Sequence, residues 1–162
     1  MRTVIAAAML AVSTPLAAQG VGLEIGTAAP AAKVETLDGK TVDLADYVGK
    51  SPVLIEFWAT WCPNCRELEP AMLAAKTKYG DRVRFLGVAV SLNQSVARVK
   101  AYAEQHKLPL EVLWDATGKA SEVYRAPATS YIVVLDKAGK VVYTGVGGRQ
   151  NLDAAIRKAL GE

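Results

Sequence analysis

Two cysteines, Cys62 and Cys65, are the most reactive residues of this chain, and no third cysteine exists. Such a pair can be a redox dithiol, half of a metal site or a structural bridge. A zinc site needs about four ligands, and the single histidine, His106, has no partner at ligand spacing. A structural disulfide stabilises mainly by closing a long loop, which a two-residue spacer does not provide. We therefore favour a redox dithiol, in which one thiolate attacks a partner and the other resolves the mixed disulfide.

The two sulfurs are expected to differ because they occupy different positions on one helix. Apolar residues at helical spacing predict a helix from Pro63 to Tyr79, kinked at Pro70. Cys62 would lie at its N-terminus, where free N–H groups and the positive end of the helix dipole stabilise a thiolate. We expect Cys62 to be the exposed nucleophile, and Cys65, one turn further on, to be the more buried resolving thiol.

The rest of the chain predicts alternating strands and helices that could hold this helix in place. Turn residues Asp38-Gly39-Lys40 between alternating segments favour an N-terminal hairpin. The further predicted elements are strands Val53–Trp58, Val83–Val90 and Leu110–Trp114, a helix from Ser95 to His106, a short helix Lys119–Tyr124, a strand pair Tyr131–Leu135 and Val141–Val146, and an amphipathic helix containing Leu152, Ile156 and Leu160. The order βαβαβ followed by ββα predicts an α/β fold with a mixed sheet and helices on both faces.

The first residues differ in character from the remainder. Arg2, the apolar run Val4–Val12 and small residues up to Ala18 are typical of a secretory signal peptide. We expect residues 1–18 to be a signal peptide and 19–162 the folded domain, with a periplasmic or otherwise exported location. The alternative, an uncleaved membrane anchor, is less favoured because ~20 apolar residues are needed to span a bilayer. Membrane contact is expected only in that case.

Composition excludes several classes of function. The 162 residues are 51% hydrophobic and 22% charged, as in ordinary globular proteins. The formal charge of the whole chain is +3. Cleavage of residues 1–18 would remove Arg2 and leave 18 basic and 16 acidic residues, a charge of 18 − 16 = +2, and these charges are scattered rather than clustered. Nucleic acid is therefore not an expected partner. We expect a monomer with no metal and no cofactor beyond the redox-active disulfide Cys62–Cys65.

The segment Phe57–Cys65, FWATWCPNC, followed by Pro70, resembles the active-site segment of thioredoxin-like proteins. The hairpin around 38–40, Tyr47-Val48-Gly49-Lys50 and the insert between Val90 and Trp114 resemble the exported TlpA/ResA branch. This resemblance implies a thioredoxin-like fold: a central mixed β-sheet flanked by helices, with an N-terminal β-hairpin and an insert between core strands. It also implies an envelope reductant that receives electrons from a membrane thiol–disulfide carrier and reduces disulfides in client proteins, often during cytochrome c or copper-centre assembly.

Glu56 is a carboxylate in the middle of the predicted buried strand, where a charge is costly without a partner. It aligns with the buried aspartate of thioredoxins, a resemblance that implies a proton acceptor for Cys65. Burial would raise its pKa toward neutrality, where a general base is useful. The alternative is a purely structural role, with the carboxylate satisfied by a lysine or by backbone at the sheet edge.

The resemblance also implies residues that contact the client beside the nucleophile. These are Trp61, Pro63 and Asn64, the last two of which also tune how strongly the thiolate is favoured. Trp58 and Trp61 are expected mainly to pack and to cover the active site, and His106 is expected to be a solvated residue at a helix end.

The loop before the last strand pair departs from the family pattern. Thioredoxin-like proteins hold a cis-proline there, and the alignment places Thr129-Ser130 at that pair. A non-proline cis bond costs ~2.5–4 kcal/mol, so the Thr129–Ser130 bond is expected to be trans. Both residues are expected to bind the client by presenting backbone groups to an extended peptide. Ser130→Pro should be tolerated unless the loop shifts and Pro127 takes this place.

Other functions on the same fold remain open at this point. A disulfide oxidase or isomerase would use the same dithiol at a different potential. A non-catalytic copper chaperone would need a third ligand such as histidine, and none is placed for it. A peroxidase would put its nucleophile at Cys65 without the further polar partners that this chemistry uses.

Overall fold

A computed structural model describes residues 22–162, so the predicted signal peptide, residues 1–18, lies outside the described residues. The elements, with a short 3-10 helix at Leu44–Tyr47 between the second and third strands, are β1 (Lys33–Thr36), β2 (Thr41–Asp43), β3 (Val53–Trp58), α1 (Pro63–Tyr79), β4 (Arg84–Val90), α2 (Val96–His106), β5 (Glu111–Asp115), α3 (Lys119–Val123), β6 (Tyr131–Leu135), β7 (Val141–Val146) and α4 (Leu152–Leu160). The predicted elements are all present, with ends displaced by one or two residues.

The seven strands form one mixed sheet in the order β2-β1-β5-β4-β3-β6-β7. Strands β3, β4 and β5 run parallel, while β6 and β7 continue the sheet in antiparallel fashion on the other side of β3. The N-terminal hairpin joins the opposite edge, where Glu35 pairs with Trp114. Helix α2 occupies the insert between β4 and β5. The predicted thioredoxin-like α/β fold is therefore confirmed, with the hairpin integrated into the main sheet.

Strand β3 is buried along its whole length because it has neighbours on both sides and helices over both faces. Its alternation divides the core: Val53, Ile55 and Phe57 pack on one face, and Leu54 packs under α1 and α4 on the other. Glu56 and Trp58 therefore follow Leu54 onto the face covered by α1 and α2. The one acidic residue of β3 is thereby directed at the helix that carries the cysteines.

Helix α1 begins directly after the turn that follows β3. Pro63 takes the first helical position, where its missing N–H costs nothing and its fixed φ suits the helix. The buried positions Leu68, Met72 and Ala75 continue the face that begins at Cys65. The helix runs through Pro70 as one element and is capped at Gly80. Within residues 22–162, no helix has the length and apolar character that crossing a bilayer would require.

Candidate active site

The cysteine pair forms a disulfide at the start of α1, with the two Cα atoms 5.3 Å apart. Cys62 is the N-cap residue, and its Sγ accepts a hydrogen bond from the backbone N–H of Cys65 at 3.1 Å. The first turn of the helix contains no acidic residue that would compete for this positive end. A sulfur in this position is stabilised as a thiolate when the disulfide opens.

The expected difference in exposure between the two cysteines is wrong for this oxidised form. Cys62 is 2% exposed and Cys65 is 5% exposed, so both are buried. The disulfide draws the two side chains together, and both pack with Trp58, Ala89 and Val99 in one apolar cluster. Position on the helix, rather than solvent exposure, therefore distinguishes the two sulfurs.

Behind the disulfide lies a small cavity of about 10 Å³, lined on its polar side by Glu56, Cys65 and Glu69. This is room for about one water molecule. Cys65 lines the cavity and Cys62 does not. The second sulfur of the motif is therefore the one that shares an enclosed space with carboxyl groups.

Glu56 is 5% exposed, and its Oε1 has no hydrogen-bond partner among the described residues. Burial is the main cause that raises the pKa of Glu56 to about 8, and the neighbouring charge of Glu69 adds to it. The alternative from sequence, a carboxylate satisfied by a lysine or by backbone at the sheet edge, does not occur, because β3 is a central strand. At pH 7 most molecules therefore carry a protonated Glu56, and about a tenth carry the carboxylate that can accept a proton.

Sequence reasoning did not identify Glu69 as part of this site. It lies four residues after Cys65 on α1 and so shares the face that looks onto the cavity. Its carboxylate accepts a hydrogen bond from the Tyr102 hydroxyl at 2.7 Å and lies 3.2 Å from His106 Nδ1. His106 is thus correctly placed at a helix end, but it contacts Glu69 and stacks on Tyr102 instead of being simply solvated. The only signal in the sequence was the i, i+4 spacing of Tyr102 and His106, which places both side chains on one face of α2, where they can contact the same residue.

The residues beside the nucleophile are held by loop contacts that no sequence pattern indicated. Trp61 is half-buried, and its indole N–H donates to the Leu92 carbonyl at 2.8 Å. Gln94 accepts the backbone N–H of Thr60 at 2.9 Å and donates to the Val90 carbonyl. The loop after β4 therefore fixes the turn that leads into Cys62.

Pro63 and Asn64, which lie between the two cysteines, are both exposed. Their side chains are therefore open to an approaching molecule. Trp58 at the end of β3 is, in contrast, buried against α2, with its ring centroid 5.7 Å from that of Tyr102. It contributes packing next to the cavity.

The loop residue Ser130 directly precedes β6 and is fully buried. No peptide bond within residues 22–162 is cis, so the Thr129–Ser130 bond is trans, as expected. Ser130 has φ of 60°, its hydroxyl donates to the Gly147 carbonyl at 3.1 Å, and its carbonyl accepts from Gln150 at 3.1 Å. Thr129 is half-buried, and the structure assigns it no side-chain hydrogen bond.

The conformation of Ser130 contradicts the reason for expecting Ser130→Pro to be tolerated, and we expect this substitution to be destabilising instead. Proline fixes φ near −65°, whereas Ser130 adopts the left-handed region. The loop keeps its path without proline because Gly147 and Gln150 bind the polar atoms of Ser130. Tertiary contacts here take the place of a rigid ring.

Among residues 22–162, no group of three or more histidine, cysteine, aspartate or glutamate side chains is arranged to hold a metal ion. The reactive groups of the site are thus two sulfurs and two carboxyls. This set can exchange disulfides and move protons.

Comparison with known proteins places this geometry in a family. The sequence matches the AhpC/TSA family over residues 25–144. It is 34% identical over 128 residues to the thioredoxin-like protein YneN of Bacillus subtilis (strain 168), covering 78% of this chain and 74% of the relative. It is 30% identical over 138 residues to the thiol-disulfide oxidoreductase ResA of Bacillus thuringiensis subsp. konkukian (strain 97-27), covering 84% of this chain and 79% of the relative.

Among solved structures, a thiol:disulfide interchange protein of the thioredoxin family from Chlorobium tepidum TLS is 29% identical. It superposes with a TM-score of 0.69, covering 84% of this chain and 97% of that one. The chain therefore belongs to the AhpC/TSA family and has the thioredoxin-like fold. With its Cys62–Cys65 disulfide, it is an enzyme of the thiol–disulfide oxidoreductase class.

Proposed function

We propose that this oxidoreductase is an exported reductant that breaks disulfides in client proteins of the cell envelope. The observation that carries the proposal is the division between the sulfurs: Cys62 caps the helix, while Cys65 faces the cavity that contains Glu56. This division supports an assignment in which Cys62 attacks the client disulfide and Cys65 is activated by a base. The reducing direction agrees with the resemblance to the TlpA/ResA branch.

In the proposed reaction the reduced protein starts as a Cys62 thiolate and a Cys65 thiol. The thiolate attacks a client disulfide, so that a mixed disulfide forms and one client thiolate leaves. Cys65 then transfers its proton to Glu56, which must be in its carboxylate form for this step, and attacks the Cys62 sulfur. The Cys62–Cys65 disulfide forms, the second client thiolate leaves, and the client has gained two electrons. A membrane dithiol carrier would return the enzyme to its reduced state.

Client contact is proposed for the surface around the disulfide. Pro63 and Asn64 are exposed there, and Trp61 is held at the rim by its bond to Leu92. Thr129 and Ser130 are proposed to present the backbone of their loop to an extended client segment. The Ser130 carbonyl is already bonded to Gln150 and to the Gly147 N–H, so this contact falls mainly to Thr129.

The role of each sulfur is tested by trapping clients on single-cysteine variants. We expect Cys65→Ser to accumulate mixed disulfides, because attack proceeds and resolution does not. Cys62→Ser should neither trap clients nor reduce a protein disulfide such as that of insulin. Non-reducing gels and mass spectrometry give the result. Trapping by Cys62→Ser and not by Cys65→Ser would reverse the assignment.

The direction of the reaction is tested by the reduction potential of the Cys62–Cys65 couple. A value below about −200 mV, measured against glutathione, would agree with a reductant. A value near about −120 mV would instead assign the protein to the disulfide oxidases. An isomerase would be indicated by recovery of activity from scrambled ribonuclease without net reduction.

Export is proposed from the character of residues 1–18. Expression in a Gram-negative host followed by osmotic shock should release a chain that begins at Gln19 and comprises residues 19–162. Retention in the membrane fraction with an intact N-terminus would indicate the anchor alternative.

A further inference from the structure

Glu56 is enclosed, yet a base that takes a proton in every reaction cycle must also lose it. It is 5% exposed, and the cavity that it faces has room for about one water molecule. The other carboxyl at this cavity belongs to Glu69, whose side chain is 29% exposed. Glu69 therefore touches both the enclosed space and the solvent.

Helix α2 holds Glu69 in this intermediate position. The Tyr102 hydroxyl donates to one carboxylate oxygen at 2.7 Å, and His106 Nδ1 lies 3.2 Å from the other. The rings of Tyr102 and His106 stack with centroids 3.8 Å apart, and the Tyr102 ring also packs on Trp58. The His106 side chain is 31% exposed, so the row of polar groups reaches the surface.

We propose that Glu69, positioned by Tyr102 and His106, exchanges the proton of Glu56 with solvent during turnover. The inference rests on the proposed function, in which Glu56 accepts the proton of Cys65. After resolution, Glu56 is a neutral carboxyl. The proton crosses the cavity to the Glu69 carboxylate by way of one water molecule, for which the cavity has room, and then leaves to solvent directly or through His106. The loss of the proton regenerates the Glu56 carboxylate. No electrons move in this step.

The charges around the cavity agree with this role. The groups that face Glu56 from the packed elements are Cys65 and Glu69 on α1 and Tyr102 on α2, and no lysine or arginine lines the cavity. Two carboxyls around one small cavity without a cation favour a state in which one of them keeps a proton. Moving this proton from Glu56 to Glu69 keeps the total charge of the pair unchanged, and it places the proton on the carboxyl that is in contact with solvent.

The inference is tested with Glu69→Gln, which keeps the shape and can still accept from Tyr102. Glu67→Gln is the matched control, because Glu67 lies on the same helix and bonds Arg149 outside the cavity. Reduction of a small aromatic disulfide, with excess dithiothreitol as electron donor, is followed from pH 5 to 9. We expect Glu69→Gln to lower the pH midpoint and to slow turnover several-fold, with recovery when a small buffer such as imidazole is added.

Tyr102→Phe provides a second variant that preserves the packing on Trp58. This variant should also lower the pH midpoint and slow turnover, by less than Glu69→Gln does, and its melting temperature should be unchanged. If Glu69→Gln behaves like Glu67→Gln, or lowers the midpoint without slowing turnover, the relay is refuted. Glu56→Gln separates this failure from failure of the proposed function. If Glu56→Gln has the pH profile of the wild type, Glu56 is not the base and the proposed function fails. If Glu56→Gln changes the profile and Glu69→Gln does not, only the relay fails.

Discussion

Replacing Glu56 by glutamine should change how the stability of the oxidised protein depends on pH. Burial and the charge of Glu69 raise the pKa of Glu56 from 4.5 to about 8. The folded protein therefore binds this proton more tightly than the unfolded chain does. The resulting stabilisation is fully present below about pH 4.5 and is lost as the pH rises through about 8. Glutamine does not titrate, so the variant should lack this dependence.

The size of the effect follows from the two pKa values. Their difference, 8 − 4.5 = 3.5, multiplied by ~1.36 kcal/mol per unit, gives about 5 kcal/mol. Over most of this window the free energy of unfolding should fall by ~1.4 kcal/mol for each pH unit. This is a large share of the ~5–15 kcal/mol by which domains are usually stable. Asp153, whose pKa lies below its ordinary 3.8, and Tyr47, whose pKa is raised to about 12, titrate outside this window.

Urea unfolding of the oxidised proteins, followed by tryptophan fluorescence from pH 5 to 8, measures this dependence. The wild type should lose about 3.5 kcal/mol between pH 5 and pH 8, because the slope flattens near each pKa, while Glu56→Gln should change little. Glu67→Gln, which removes a carboxylate outside the cavity, should follow the wild type. Parallel curves for the wild type and Glu56→Gln would refute the argument, because they would mean that Glu56 is solvated or ionised in the folded state.

Three further outcomes are expected. Ser130→Pro should destabilise the protein by at least about 1–3 kcal/mol, because proline cannot adopt φ of 60°. Ser130→Gly, which allows this φ and loses only the hydroxyl bond to Gly147, should cost about 1 kcal/mol. Asp115→Ala should cost about 2–3 kcal/mol, because the buried carboxylate of Asp115 accepts the backbone N–H groups of Ala120 and Ser121 at the start of α3.

Chemical denaturation of the oxidised variants measures all three differences. A proline variant that is as stable as the glycine variant would mean that the loop can adopt another path. If Asp115→Ala has no effect on stability, water replaces the carboxylate at the start of α3.

Much of this protein was predictable from local sequence. Short-range signals predicted three features. The two-residue spacer between the cysteines indicated a redox pair, and Pro63 indicated a helix start beside it. Apolar residues at a spacing of two or of three to four indicated the strands and helices of the sheet. The burial of Glu56 was also predictable, because its neighbours in the run Val53–Trp58 are all apolar. These features depend on residues close together in the chain.

Contacts between distant segments could not be predicted in this way. The partner of Glu56 at the cavity is Glu69, which is itself held by Tyr102 and His106 from a helix more than thirty residues further on. The conformation of Ser130 likewise depends on hydrogen bonds from the loop at 147–150.

The sequence by itself therefore determined which atoms react and on which element each one lies. The tertiary structure alone decided how deeply both sulfurs are buried and which carboxyl faces Glu56. Burial and charge interaction depend on the distances between elements, and helix packing sets those distances only when the whole sheet has formed.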